Sequence, residues 1–338
     1  MSEQLYHVSS SPHIRSKVTT ASIMRDVILA LVPSCLFGVY WFGLRALTVL
    51  AVSVISCQAA ELLYFHISGK KRVRYECSAI VTGLLLGMNF PSTIPLWIPV
   101  VGGFFAIIVV KELFGGLGNN FMNPALAARC FLLICFAGPM TSFSIKASSS
   151  NIWMGAAAAD GLSGATPLAM IKNAGSPTDT LPRLFDMFFG FTGGVIGETS
   201  ILFLLLGALY LVIRKVISLK IPLTYIFSFS VFVLIANLIK TGTPDFTGIA
   251  RQLCGGGLVL GAFFMATDYV TCPITPFGKI LFGICLGIVT AVFRLFGNNA
   301  EGVSYAIIFC NMLVPLLEKI TIPAAFGLSK KGGCVNGK

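Results

Sequence analysis

The chain has 338 residues, of which 56% are hydrophobic and only 11% charged, with a mean hydropathy of +0.87. A soluble domain carries about 25% charged residues, so the composition excludes an ordinary soluble globule and marks an integral membrane protein. The formal net charge of +11 is read as Lys and Arg gathered in cytoplasmic loops, and not as a nucleic-acid-binding surface.

The first 25 or so residues are polar (Ser9, Ser10, Ser11, Pro12, His13, Arg15, Lys17). They lack the apolar core of a cleavable signal, so they are expected to be a cytoplasmic segment, residues 1–24. Apolar runs of about 20 residues then follow one another. Spans are expected at 27–44, 46–68, 77–90, 95–114, 123–140, 191–213, 221–239, 252–269, 278–296 and 302–319. They make a membrane domain over 25–320, followed by a cytoplasmic tail, 321–338. The runs are apolar all round, which argues against the alternating strands of a membrane barrel.

Basic residues set the orientation. With the N-terminus inside, the inner side collects Lys70, Lys71, Arg72, Arg74, Lys111, Arg214, Lys215 and others, 16 in all. The outer side holds seven, Arg45, Lys146, Lys172, Arg183, Lys240, Arg251 and Arg294, while Arg129 falls within a span. Both termini are therefore expected in the cytoplasm and the long loop 141–190 outside.

The third expected span is short and ends at Asn89-Phe90-Pro91-Ser92. Val110-x-x-x-Phe114-x-x-Leu117-Gly118-Asn119-Asn120 recurs as Val289-x-x-x-Phe293-x-x-Phe296-Gly297-Asn298-Asn299, an offset of 179 (110 to 289). Asn89-Phe90 then matches Asp268-Tyr269, and Ala127 matches Ala306. Copies five spans apart point in opposite directions. The expected fold is thus all-α, about ten transmembrane helices in two inverted-topology five-helix repeats. The short third span and its partner, which opens at Gly255-Gly256-Gly257 and breaks at Asp268, read as half-helices meeting near the midplane.

Four ionisable groups fall in or near the apolar runs: Glu61, Arg129, Glu112 and Asp268. Isolated charges there cost ~3 kcal/mol or more, so they belong to an ion path, a ligand contact or an interhelical pair. Glu61 with Arg129 is the pair expected. Asn119, Asn120 and Asn123 either cap a helix or line a cavity. The ten cysteines form no C-x-x-C pair, and His7, His13 and His66 are badly placed for haem ligation. Neither a G-x-x-x-x-G-K-[ST] nor a G-x-G-x-x-G string occurs, so no ATP motor or dinucleotide fold is encoded.

The loop 141–190 contains Asp160-Gly-Leu-Ser163-Gly164-Ala165-Thr166. Threonine is a weak nucleophile and becomes an attachment point only when another enzyme transfers a group to it. Gly161, Gly164 and Ala165 permit close approach, and Asp160 is placed to bond amides of the bend. An ordinary Ser/Gly/Ala loop is the plain alternative.

The string Asp160-x-x-Ser163-Gly164-Ala165-Thr166 resembles the signal at which a flavin transferase joins FMN to threonine through a phosphodiester. With Ser11-Pro12-His13, Phe42-Gly43, Gly118-Asn119-Asn120 and Asn123-Pro124-Ala125, the chain resembles the D subunit of the Rnf electron-transport complex. A close relative is the B subunit of the sodium-translocating NADH:quinone oxidoreductase. The resemblance implies FMN on Thr166 on the outer face, as one station between ferredoxin and NAD, with electron flow coupled to Na+ or H+ movement. It also implies a second, non-covalent flavin (riboflavin or FMN), the other membrane and peripheral subunits of the complex as partners, and a bacterial or archaeal cytoplasmic membrane. Arg129, Asn120 and Asn123 are then candidate flavin contacts, and Lys146, Lys172 or Arg183 candidate counter-charges for the phosphate. On architecture alone, a channel or secondary transporter without redox chemistry is the rival reading.

Overall fold

A computed structural model describes residues 18–69, 77–143, 166–172, 181–297 and 302–323, and among these it is helical with no strand. Helix α1, Thr20–Phe42, begins at Thr19, whose hydroxyl accepts from Ser22 N while Ser22 Oγ accepts from Thr19 N, both at 3.3 Å. This reciprocal cap satisfies backbone donors that a helix start leaves open. Gly43, at φ 79°, is the single residue between α1 and α2, Leu44–Ser68. A left-handed residue there turns the chain back without the clash a side chain would bring.

The elements that follow are short. Helix α3 spans Ser78–Met88, and α4, Trp97–Phe104, continues as a π-helical stretch, Phe105–Glu112. Helix α5, Pro124–Cys135, starts with Pro at its first position behind an Asn cap. The small helices α6, Ala137–Thr141, α7, Pro167–Lys172, and α8, Leu184–Phe189, precede α9, Ile201–Ile213. Helix α10 is Lys220–Thr241, α11 is Phe246–Cys254, and α12, Leu258–Leu260, runs on as a π-turn, Gly261–Met265. Two long helices close the chain, α13, Pro276–Phe296, and α14, Val303–Thr321.

Five helices, α1, α2, α10, α13 and α14, are long and apolar enough to cross a membrane. The pair α11 and α12, bent by 66°, makes a sixth crossing or a re-entrant turn. The expected spans at 77–90, 123–140 and 191–213 are represented by α3, α5 and α9, each shorter than a full crossing. The segment before α9 is not helical: Ile196 N donates to Phe90 O (3.0 Å) and Gly197 N to Met88 O (2.7 Å). Its backbone is thus spent on the end of α3 and is not free for a helix of its own.

Helix pairs meet through small residues. Helix α10 packs on α13, α2 on α3 and α4, α1 on α9, and α5 on α14. A Cβ added to Gly83 would lie 2.7 Å from Val54 Cα, at Gly207 2.0 Å from Ala30 O, and at Gly287 1.9 Å from Ser228 Oγ. Between helices in lipid, close backbone approach supplies the packing that the hydrophobic effect supplies in water.

Candidate functional site

Among the described residues, two cavities and two buried charge clusters gather many of the polar residues of the bundle. The first cavity surrounds Thr166, which is 7% exposed and stands immediately before α7. Its Oγ1 accepts from Ala169 N at 3.2 Å, so the hydroxyl closes the first turn of that helix. The cavity holds about 350 Å³ and is lined by Thr166, Thr192, Gly193, Glu198, Thr199 and Gly255, among others. Helix α7 is seated by Leu168, which is buried against Gly255 and Gly256, and by Lys172, whose Nζ donates to Gly297 O. Lys172 is thus engaged on a backbone carbonyl, and Arg183 is exposed at the start of α8. Asp160, Ser163, Gly164 and Ala165, like Lys146, lie outside the described residues.

The floor of this cavity is the break between α11 and α12, where Gly256 and Gly257 take φ of 70° and 63°. Arg294 holds it. Its Nη2 donates to Gly255 O (2.8 Å) and Gly256 O (3.0 Å), its Nη1 to Gln252 O, and its guanidinium lies 5.1 Å from the Phe229 ring centroid. Charge counting places Arg294 on the outer side; its side chain is 4% exposed in the last turn of α13 and is set against carbonyls at the end of α11.

The second cavity, about 800 Å³, lies between α1, α3, α9 and the π-turn after α12. Its wall is mostly apolar (Val27, Leu85, Leu211, Phe263, Phe264), with Lys111, Asn120, Asn123 and Asp268 adding polar groups. A mostly apolar wall with a few polar groups is the lining a small organic ligand takes. Asn123 caps α5, its Oδ1 accepting from Ala125 N (3.0 Å) and Leu126 N (3.4 Å), and its Nδ2 reaches Met265 O at 3.3 Å. One asparagine thus caps a helix and lines the cavity. Asn120 Nδ2 donates to Met122 O, and Asn119 Nδ2 to Gly115 O. Asp268 closes a turn, its carboxylate accepting from Val270 N and the Thr271 hydroxyl.

Beyond Asn123 on α5, Arg129 is 4% exposed, and its Nη1 donates to Asn89 Oδ1 (2.8 Å) and Ser304 Oγ (2.9 Å). The expected Glu61–Arg129 pair does not form. Glu61 instead faces Lys111, with Nζ 2.8 Å from Glu61 Oε1, 2.7 Å from Ser78 Oγ and 3.5 Å from Glu112 Oε1. Lys111 counts with the inner loops by charge, yet it is 3% exposed. The one signal for it in the sequence is its place within the apolar run 95–114. Among the described residues, no group of three or more His, Cys, Asp and Glu side chains forms a metal site.

The fold and its sites define a class: an all-α integral membrane protein whose interrupted helices flank a mostly apolar cavity. Sequence comparison supplies the family. The pattern of the NQR2, RnfD, RnfE family matches residues 7–327, and the chain belongs to that family. It is 43% identical over 332 residues to the D subunit of the Na(+)-translocating ferredoxin:NAD(+) oxidoreductase complex of Acetobacterium woodii, covering 98% of each chain. It is 38% identical over 336 residues to the D subunit of the proton-translocating ferredoxin:NAD(+) oxidoreductase complex of Clostridium ljungdahlii, covering 96% of this chain and 97% of the relative. The D subunit of the ion-translocating oxidoreductase complex of Stutzerimonas stutzeri is 37% identical over 339 residues, at 94% and 95% coverage.

Proposed function

We propose that this chain is the flavin-carrying membrane subunit of an ion-translocating ferredoxin:NAD oxidoreductase complex of a bacterial or archaeal cytoplasmic membrane. It carries FMN esterified to Thr166 and works with the other membrane and peripheral subunits of the complex, after maturation by a flavin transferase. The observation that carries this reading is Thr166 itself. It ends the Asp160-x-x-Ser163-Gly164-Ala165-Thr166 string, and its residue opens onto a polar cavity. The chemistry around it offers a phosphodiester the Thr192 hydroxyl and the close approach that Gly193 and Gly194 allow, beside the Glu198 carboxylate. A flavin supplies electron transfer singly or in pairs, tuned by nearby charge.

The chain's own residues do the rest. Arg294 fixes the Gly255–Gly256 floor beside Thr166. The cavity between α1, α3 and α9 has the apolar walls that a second, non-covalent flavin would need, with Asn120, Asn123 and Lys111 as polar contacts. Moving one charge against 100 mV costs ~2.3 kcal/mol, which the redox steps supply.

The same reading includes ten helical elements in two inverted five-helix repeats, with both termini cytoplasmic. Helix starts support it: Trp97 of α4 and Pro276 of α13 share the offset of 179, as do Pro124 of α5 and Val303 of α14. Cys77 and Gly256, again 179 apart (77 to 256), are both left-handed, at φ 52° and 70°.

The test is in-gel flavin fluorescence of the denatured chain co-expressed with a flavin transferase. Thr166→Ala is expected to remove the fluorescent band while the protein still inserts. A band retained in that variant refutes the assignment. A dark native chain, with the transferase active on a control substrate, favours the non-redox transporter.

A further inference from the structure

Two interrupted helices end near each other inside the bundle. Helix α3 ends at Met88 with Asn89 beyond it, and the π-turn after α12 ends at Met265. Asn89 Nδ2 lies 3.9 Å from Met265 Sδ, so the two ends are in contact. The last turn of a helix leaves carbonyls open and carries partial negative charge. In membrane proteins with half-helices, such ends are where a translocated cation is coordinated.

At the end of α3 the last carbonyls are already bonded, Leu85 O by Asn89 Nδ2 (2.6 Å) and Met88 O by Gly197 N (2.7 Å), and side chains of α5 occupy the space between the two ends. Asn123 Nδ2 bonds Met265 O at 3.3 Å. Arg129 Nη1 bonds Asn89 Oδ1 at 2.8 Å and, on the far side, Ser304 Oγ in the first turn of α14 at 2.9 Å. Arg129 is 4% exposed, and a guanidinium does not give up its proton in a protein. The charge is therefore permanent. Asn123 also lines the larger cavity. Arg129 follows it six residues along α5 (123 to 129), about 9 Å along the helix axis. A cation entering the cavity thus meets a fixed positive charge between the two helix ends. A single arginine placed across a pore is a known physical means of excluding cations and protons.

We propose that Arg129 is a tethered cation that sits between the interrupted helices and keeps the centre of this subunit impermeable to Na+ and H+. The ion moved by the complex then travels by a route outside this centre. The proposal rests on the part of the reading above that sets the interrupted helices within the bilayer; it needs no flavin.

The test is passive sodium and proton entry into liposomes holding the full chain, under an imposed diffusion potential, with ²²Na+ and a lumenal pH dye. Native vesicles are expected to be as tight as protein-free ones. Arg129→Gln is expected to raise entry about tenfold or more, the factor of a barrier lowered by ~1.4 kcal/mol. Arg129→Lys, which keeps a charge, and Ser304→Ala, which keeps the guanidinium and removes one partner, are expected to stay tight.

Native vesicles that leak overturn the proposal before any variant is made. So does an Arg129→Gln chain that is monodisperse, natively helical and tight. Leakage of Ser304→Ala equal to that of Arg129→Gln overturns it too, by pointing to loosened packing instead of lost charge. A chain recovered in the soluble fraction would instead refute the membrane reading on which the proposal stands.

Discussion

Lys111→Met is the substitution with the largest expected effect on stability. In the native chain the Lys111 Nζ lies 2.8 Å from Glu61 and 3.5 Å from Glu112, with all three side chains at most 8% exposed. At an effective dielectric of about 20, these contacts are worth roughly 6 and 5 kcal/mol of gross attraction. Most of that is offset by the several kcal/mol each ion loses on leaving water. Removing the cation alone keeps the burial penalty of the two carboxylates and loses the attraction, a net destabilisation of about 3–5 kcal/mol. Thermal unfolding in detergent, followed by intrinsic fluorescence, should show a midpoint lowered by roughly 4–7 °C. Adding Glu61→Gln to Lys111→Met should recover part of the loss, because one stranded carboxylate is then neutral. A Lys111→Met chain within about 1 kcal/mol of native, inside the range of an exposed ion pair, would refute the reasoning.

Three further outcomes are expected. Gly287→Val should destabilise by about 1–3 kcal/mol, because its Cβ would sit 1.9 Å from Ser228 Oγ and 2.6 Å from Phe229 N on the facing α10; unfolding in detergent reads this, and a neutral result would mean that the helices separate without cost. Asp245 caps α11, and its bond from Gly248 N, then that from the Thr247 hydroxyl, hold its carboxyl below the usual carboxylate range. The stabilisation this gives is present above the unfolded value of about 4 and is lost as pH falls through the lower folded value. Asp245→Asn should therefore flatten the acid dependence of Gly248 amide exchange, and an unchanged profile would remove the cap as its cause. For Thr166→Ala, mass mapping of the 166-containing peptide should show no flavin adduct, and an adduct at the same mass in that variant would place the flavin on another residue.

Hydropathy locates the long helices well. Spans expected at 46–68 and 278–296 are α2, Leu44–Ser68, and α13, Pro276–Phe296. It fails at 191–213, where residues 191–200 hold three glycines and Glu198 and are tied by backbone bonds to Met88 and Phe90. An apolar score carries no information about which backbone a segment pairs with. The charged residues show the same divide. Arg129 and Glu61 are legible as intramembrane ions because any charge in an apolar run stands out. Their partners are not, since Asn89, Ser304 and Lys111 come from distant parts of the chain. The burial of Lys111 and Arg294 is missed for a definite reason: counting basic residues treats each one near a span end as facing water, and both turn inward onto carboxylates or carbonyls.

The seating of Thr166 bears on the order of assembly. A hydroxyl on a residue 7% exposed, already used to start a helix that Leu168 and Lys172 fasten down, is out of reach of another enzyme's active site. An enzyme that esterifies it must meet the segment before α7 settles, or wait for it to come loose. If Thr166 carries the proposed flavin, maturation of this chain is a race between docking and modification, and the ratio of the two rates sets how much of the protein is made without it.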